Sequence, residues 1–105
     1  MIQNASAPPI ELSIDQWAIV KDILKKYVPD IQVCAFGSRA KWAAKPYSDL
    51  DLTLISADPL EVKQLGQLKY AFEESKLPFN VDLLEWRTAP ESFKKMILPD
   101  LLALF

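Results

Sequence analysis

The segments Phe36-Gly37-Ser38 and Asp49-Leu50-Asp51-Leu52-Thr53-Leu54-Ile55 decide the fold of this 105-residue chain. The mostly apolar segment 31–36 is typical of a short buried strand, and it leads into Gly37-Ser38, where glycine permits a sharp turn. Residues 49–55 alternate, so that Asp49, Asp51 and Thr53 share one face of a second strand and the leucines share the other. A turn suited to phosphate therefore lies just upstream of two carboxylates suited to a divalent metal.

Helices are predicted on both sides of these strands. Ser13 and Gln16 have the spacing of a capping box, and Asp58-Pro59 is typical of a helix start. The helical segments predicted from caps, prolines and apolar periodicity are 13–27, a short turn over 40–43, 58–75 and 88–98. The first of them is expected to turn five side chains inward: Ile14, Trp17, Val20, Leu24 and Tyr27.

A third strand is predicted over 79–85, with Asp82 on the face opposite to Phe79, Val81 and Leu83. The apolar tail 101–105 is either an edge strand or a segment that docks on a partner. The order is helix, strand, helix, strand, helix, strand, helix. We therefore expect an α/β (α+β) fold in which helices pack on a small mixed β-sheet.

Composition limits the classes of function. Half of the residues are apolar and a quarter are charged, with a net charge of −2 and a pI of about 5.0, so a single globular domain over 13–105 is expected after a loosely ordered arm over 1–12. An acidic chain lacks the basic face that direct nucleic-acid binding needs. The sequence shows neither a membrane-spanning run nor a signal peptide, and both observations favour a cytoplasmic protein without membrane contact.

The absence of histidine narrows the chemistry further. One cysteine and no histidine exclude Ser-His-Asp and Cys-His catalysis as well as histidine-ligated zinc. A metal site must then use oxygen ligands, which suit Mg²⁺ or Mn²⁺. Asp49 and Asp51 are about 6–7 Å apart along the strand, and two such charges need a compensating cation or donor. Asp82, from another strand, would complete a three-carboxylate set for two metal ions.

Each motif is common when taken alone. Asp-x-Asp pairs often lie at solvated strand ends, and Gly-Ser is often a plain turn. The number of residues that separates the two motifs is more specific. Gly37-Ser38, then ten residues, then Asp49-Leu50-Asp51 resembles the signature of the DNA polymerase beta-like nucleotidyltransferase superfamily. The match is closest to its minimal prokaryotic branch, the minimal nucleotidyltransferase (MNT) domains, and covers nearly everything after residue 12.

The resemblance implies a nucleotidyltransferase-like fold and a role for each matching residue. Gly37 and Ser38 would hold the triphosphate of ATP, and Asp49, Asp51 and Asp82 would hold two Mg²⁺ ions, with Mn²⁺ as the alternative. Asp82 would also help to deprotonate the acceptor hydroxyl. Arg39 or a lysine such as Lys45 would neutralise pyrophosphate, although each is equally well read as a solvated surface charge.

Two positions depart from the pattern of the branch. Its members often carry glycine where Trp42 stands and a small polar or acidic residue where Tyr47 stands. The side chain of Trp42 is expected in the core or against a partner rather than on a nucleotide base.

Three functions remain open. MNT proteins are usually paired with a HEPN-family toxin, and the resemblance implies transfer of AMP from ATP onto a tyrosine of that toxin. The protein would form either a homodimer or a hetero-oligomer. The second function is that of an antitoxin that neutralises its partner by binding alone. The third is a small-molecule nucleotidyltransferase of the antibiotic type. A HEPN-like neighbouring reading frame would favour the first two.

Overall fold

The structure is a computed structural model, and it describes residues 7–104. The helices are α1 (Ile14–Tyr27), α2 (Val62–Glu73) and α3 (Glu91–Ile97), and the strands are β1 (Gln32–Phe36), β2 (Leu50–Ile55), β3 (Val81–Glu85) and β4 (Leu102–Ala103). Short 3-10 turns follow β3 and α3. The expected mixed α/β architecture is confirmed. Within the described residues, no helix is both long enough and apolar enough to span a bilayer.

The strands form one sheet in the order β3-β2-β1-β4. Strand β2 is antiparallel to β1 and parallel to β3, so the sheet is mixed. β4 pairs with the outer edge of β1 through Cys34↔Ala103 and Ala35↔Leu102. Of the two alternatives for the apolar tail, the edge strand is therefore confirmed for Leu102–Ala103, and Phe105 lies outside the described residues.

The hydrophobic core lies between one face of the sheet and helices α1 and α2. Leu50, Leu52 and Leu54 are at most 1% exposed, as their alternation predicts. They meet the buried face of both helices, formed by Trp17, Val20, Leu24, Leu68 and Phe72. The opposite face of β2 carries Asp51 and Thr53. One face of this strand therefore packs in the core, and the other face carries the candidate site residue Asp51.

Helix α1 has the predicted capping box. Ser13 Oγ accepts the N–H of Gln16, and the Gln16 side chain accepts the N–H of Ser13. Three other helical predictions were partly wrong. Helix α3 begins at Glu91 and not at residue 88. The segment 58–61 is not helical, because the N–H of Leu60 donates to the Glu85 carboxylate and α2 begins only at Val62. Residues 40–43 form turns instead of a short helix, since Trp42 lies in the left-handed region at φ 58°.

The segment before α1 is packed rather than loosely ordered over its described part. Ile10 is fully buried and Leu12 is 8% exposed, and both belong to the main core. The N–H of Glu11 donates to the carbonyl of Arg39 at 2.8 Å, which ties the segment to the turn after β1. Two apolar side chains flanking one polar residue are enough to anchor it. The rest of the predicted arm, residues 1–6, lies outside the described residues.

Ile10→Val should therefore destabilise the protein by about 1 kcal/mol, because it removes a methylene from a filled core. The control is Ile14→Val, since Ile14 was expected to point inward but is 57% exposed. The control should change the free energy of unfolding by less than about 0.5 kcal/mol. Urea unfolding of both variants measures the difference, and equal effects would show that the segment 7–12 does not contribute to the core.

Candidate active site

Asp51 and Asp82 lie side by side on neighbouring strands. β2 and β3 are parallel, and their register pairs Asp51 directly with Asp82. Both side chains project from the face opposite to the leucine core. Asp49 is exposed just before β2 begins at Leu50. The sheet thus brings together two of the three predicted carboxylates, from positions 31 residues apart in the chain.

The electrostatics of the pair reflect this closeness. The pKa of Asp51 is raised from 3.8 to about 6, mainly because burial disfavours its charged form. The charges of Asp82 and Asp49 raise it further, as does a hydrogen bond with the Asp82 side chain. No positive group offsets the charge of Asp51 among these causes. A bound cation would therefore stabilise the ionised form of this carboxylate.

The donor set fits a magnesium ion. Mg²⁺ prefers oxygen ligands, commonly one or two carboxylates, with water and substrate phosphate in its remaining positions. Asp51 and Asp82 supply such a pair, and Asp49 lies close enough to influence the pKa of Asp51. Among residues 7–104, however, the structure gathers no group of three acidic or thiol side chains tightly enough to hold a metal by themselves. Of the three predicted carboxylates, Asp51 and Asp82 therefore form a close pair, and the exposed Asp49 lies next to them.

Gly37 allows the backbone to pass directly beside Asp51. Its φ is +78°, in the left-handed region that favours glycine. A Cβ at this position would overlap Oδ2 of Asp51 and lie 3.3 Å from its Cγ. The register that pairs Phe36 with Asp51 explains the contact, because Gly37 continues β1 past that pair. The glycine in the Gly-Ser motif therefore serves both the turn and the position of the carboxylate.

The turn after Gly37 resembles the first turn of a helix. The N–H of Lys41 donates to the carbonyl of Gly37 at 3.1 Å, and the N–H of Ala43 donates to that of Ser38 at 2.9 Å. For the N–H groups of Ser38 and Ala40, the structure shows no acceptor within residues 7–104. Unpaired N–H groups at such a turn are suited to bind phosphate oxygens.

Trp42 closes this turn in an unusual conformation. Its φ of 58° lies in the left-handed region, which most side chains avoid and which glycine adopts without strain. Trp42 is 58% exposed, so the expected core position is excluded, and the alternative expectation of a contact with a partner stays a prediction. The neighbouring Lys41 forms an ion pair of 3.4 Å with Asp100, and this contact links the turn to the segment after α3.

Arg39 is neither a surface charge nor placed to bind a nucleotide, in contrast to both predictions. It is 4% exposed, and its guanidinium donates to backbone carbonyls on two segments. The acceptors are Ser48 at 3.0 Å, Glu11 at 2.9 Å, Pro46 at 3.1 Å and Lys45 at 3.4 Å. Its flat group lies 3.9 Å from the ring centroid of Phe79. Burial lowers the pKa of Arg39, while the charges of Glu11 and Asp49 oppose this shift.

These contacts make Arg39 the residue that fixes the loop before β2. The loop 44–48 leads directly to Asp49, and three of its carbonyls accept from the one guanidinium. Glu11 adds a further bond, since its carboxylate accepts the N–H of Ala44 at 2.9 Å. The exposed Lys45 contributes its backbone rather than its ammonium group. Sequence reasoning missed this role because it depends on contacts between distant segments.

Arg39→Lys should destabilise the protein by about 2 kcal/mol, because an ammonium group cannot reproduce a planar fork of donors stacked on a ring. The same substitution at the exposed Arg87 is the control and should be nearly neutral. Chemical unfolding measures both. Equal stability of the two variants would contradict the assignment of Arg39 as the residue that holds the loop.

A cleft of about 960 Å³ opens beside the carboxylate pair. Its lining adds residues to which the sequence analysis gave no role in a site, among them Phe36, Tyr47, Lys69 and Phe93. Phe36 and Phe93 meet edge to face with centroids 5.9 Å apart. Tyr47 could have been found, because it stands two residues before Asp49. Phe93 and Lys69 come from helices whose position only the tertiary fold fixes.

The comparisons with known proteins agree with this geometry. Residues 19–104 match the family described as polymerase beta nucleotidyltransferase. A relative from Haemophilus influenzae, described as a probable protein adenylyltransferase MntA, is 51% identical over 88 residues, which are 84% of this chain and 77% of the relative.

Solved structures share the fold. A toxin–antitoxin complex with AMP-PNP matches with a TM-score of 0.68 at 22% identity, covering 84% of this chain and 71% of the matched chain. A complex of a tri-AMPylated Shewanella oneidensis HEPN toxin with an MNT antitoxin matches with a TM-score of 0.59 at 20% identity, covering 82% of this chain and 66% of the other.

The sequence resemblance is thereby confirmed at the level of the family. The matched residues include the Gly-Ser turn, both aspartates of the Asp-x-Asp motif and Asp82. The chain belongs to the polymerase beta nucleotidyltransferase family.

Proposed function

We propose that this chain transfers AMP from ATP to a tyrosine hydroxyl of a HEPN-family partner, in a Mg²⁺-dependent reaction, and so acts as an antitoxin. The observation that carries the proposal is the pairing of Asp51 with Asp82, which lies beside Gly37 and lines the cleft. The partner and the acceptor are inferred from similar proteins. One is described as a probable protein adenylyltransferase, and another was solved in complex with an AMPylated HEPN toxin.

The turn after β1 would hold the triphosphate. The N–H groups of Ser38 and Ala40 have no acceptor in the described structure, and the positive φ of Gly37 permits the turn that carries them. The ammonium of Lys41, on the same turn, is paired with Asp100 at 3.4 Å, so its positive charge is partly compensated. Arg39 is left out of this set because its donors are already engaged with carbonyls.

The carboxylates would act at the α-phosphorus. A bond forms between the tyrosine oxygen and the α-phosphorus, the bond from that phosphorus to the bridging oxygen breaks, and pyrophosphate leaves. Asp82 accepts the hydroxyl proton, directly or through water. Asp49, Asp51 and Asp82 would hold Mg²⁺, which supplies charge neutralisation on the phosphates and a lower pKa for the attacking hydroxyl.

A label-transfer experiment tests this function. The protein is incubated with Mg²⁺, α-labelled ATP and a lysate of its source, beside γ-labelled ATP and a chelator. A protein band labelled only from the α position is expected, and mass spectrometry should place AMP on a tyrosine. Asp82→Asn should lower the labelling about 10³-fold, whereas Asp22→Asn on the exposed side of α1 should not change it.

Other outcomes would favour the alternatives. Label in a small molecule would support the antibiotic type of transferase. An unlabelled protein that still co-purifies with this chain would support an antitoxin that acts by binding alone. Unlabelled protein in the presence of a folded, ATP-binding enzyme would contradict the proposal.

A further inference from the structure

The cleft beside the carboxylates runs along strand β3. Its lining includes four consecutive residues, Val81 to Leu84, so both faces of this strand border it. In the sheet of residues 7–104, β3 is the terminal strand, with β2 on its inner side. The cleft therefore follows a strand edge that no described strand covers.

The backbone groups along this edge can be assigned from one hydrogen bond. The N–H of Leu50 donates to the carbonyl of Asn80 at 2.9 Å, and Leu50 is in register with Val81. In a parallel pair the bonding groups of successive residues alternate in direction. The N–H and C=O groups of Asp82 and Leu84 thus point to β2, whereas those of Val81 and Leu83 point into the cleft.

We infer that the acceptor segment of the partner docks as an extended strand on the free edge of β3. This inference rests on the proposed function, and it names the surface that presents the tyrosine. Val81 and Leu83 each offer one donor and one acceptor, and an added strand would lie about 4.8 Å away. A residue opposite Asp82 then presents its side chain on the same face of the sheet as Asp82 and Asp51.

The charge of the cleft favours a peptide over a nucleic acid. Its charged lining consists of Asp51, Glu73 and Asp82 against Lys69. Even with Asp51 and Asp82 engaged by Mg²⁺, Glu73 balances Lys69, so the lining has no excess of basic groups. RNA or DNA would bring a phosphate for every nucleotide into this region. An extended polypeptide adds no backbone charge, and it satisfies the unpaired groups of the edge.

The test uses blocked heptapeptides in which threonine and valine alternate around one central tyrosine. Each backbone N–H is methylated in turn, and transfer from α-labelled ATP is measured. Methylation should lower transfer roughly tenfold at every second position and little at the positions between. This alternation is expected for either orientation of the added strand, because strand groups alternate in direction in both.

Two results would overturn the inference. One is an effect of methylation without alternation. The other is labelling of a folded partner protein while the unmethylated peptide is not labelled. If the segment binds through its backbone, any extended peptide that contains a tyrosine should be labelled. Failure of the proposed function is recognised separately, since then neither protein nor peptide is labelled.

Hydrogen exchange measures docking without any transfer. At saturating peptide, the amides of Val81 and Leu83 should exchange at least about tenfold more slowly, while those of Asp82 and Leu84 are already protected by β2. Unchanged exchange at Val81 and Leu83 would reject the added strand even if AMP transfer occurs by another route.

Discussion

Asp51→Asn is expected to lower the rate of nucleotidyl transfer about 10³-fold or more while making the metal-free protein more stable at neutral pH. The activity falls because a neutral amide is a poor ligand for the cation that the carboxylate pair fits. The stability rises because Asp51, whose pKa is raised to about 6, is unfavourable as an anion beside Asp82. Asparagine has nearly the same shape and removes that charge.

The effect of Asp51→Asn on stability should depend on pH. In the unfolded chain the pKa of Asp51 returns to its ordinary value near 3.8, so the folded state binds its proton more tightly. The resulting stabilisation is fully present below the unfolded value and is lost as the pH rises through about 6. The metal-free protein should therefore lose stability across this interval, and Asp51→Asn should lose less.

Thermal unfolding on either side of about pH 6 measures this difference, with Asp22→Asn as the control on an exposed surface. Addition of Mg²⁺ at neutral pH should raise the Tm of the unsubstituted protein more than that of Asp51→Asn, because a ligand stabilises the state that binds it. A lower Tm for metal-free Asp51→Asn at neutral pH would contradict the assignment of Asp51 as an uncompensated charge.

Gly37→Ala should reduce transfer about 10²-fold or more, because misplacing a catalytic group by about 1 Å can have that effect. The added methyl group would overlap the Asp51 carboxylate, and the φ of +78° would be strained for alanine. The backbone strain alone should destabilise the protein by about 1–2 kcal/mol. Steady-state kinetics and urea unfolding measure the two effects separately.

The chain offers a matched control in its only other glycine. Gly66 lies within α2, and a Cβ there would meet no atom within 4 Å. Gly66→Ala should therefore stabilise the protein by up to about 1 kcal/mol and leave transfer unchanged. If both alanine variants keep full activity, the close approach of Gly37 to Asp51 is not needed for catalysis.

Local patterns predicted much of this molecule. The alternation of residues 49–55 placed Leu50, Leu52 and Leu54 in the core and the aspartates on the opposite face. Ser13 and Gln16 gave the start of α1, because both partners of a capping box lie three residues apart. The positions of Gly37, Asp51 and Asp82 followed from strand faces and from the family resemblance.

The features that were missed depend on contacts between distant segments. Arg39 was predicted either to bind the nucleotide or to be a surface charge. Its buried role was missed because its four carbonyl acceptors belong to residues whose side chains give no sign of this role. The start of α2 shifted to Val62 because Glu85, on β3, holds the N–H of Leu60. Ile10 and Leu12 lacked any periodic pattern, although both are buried.

The pairing of Asp51 with Asp82 also bears on misfolding. Side chains alternate between the faces of a strand, so a slip of β3 by one residue would turn Asp82 towards the leucines and bring Val81 or Leu83 to the side of Asp51. Such a slip would bury a carboxylate and expose apolar surface at the same time. The carboxylate pair and the hydrophobic core therefore both disfavour the slipped register, and the residues proposed to serve the reaction also help the chain to avoid an alternative sheet.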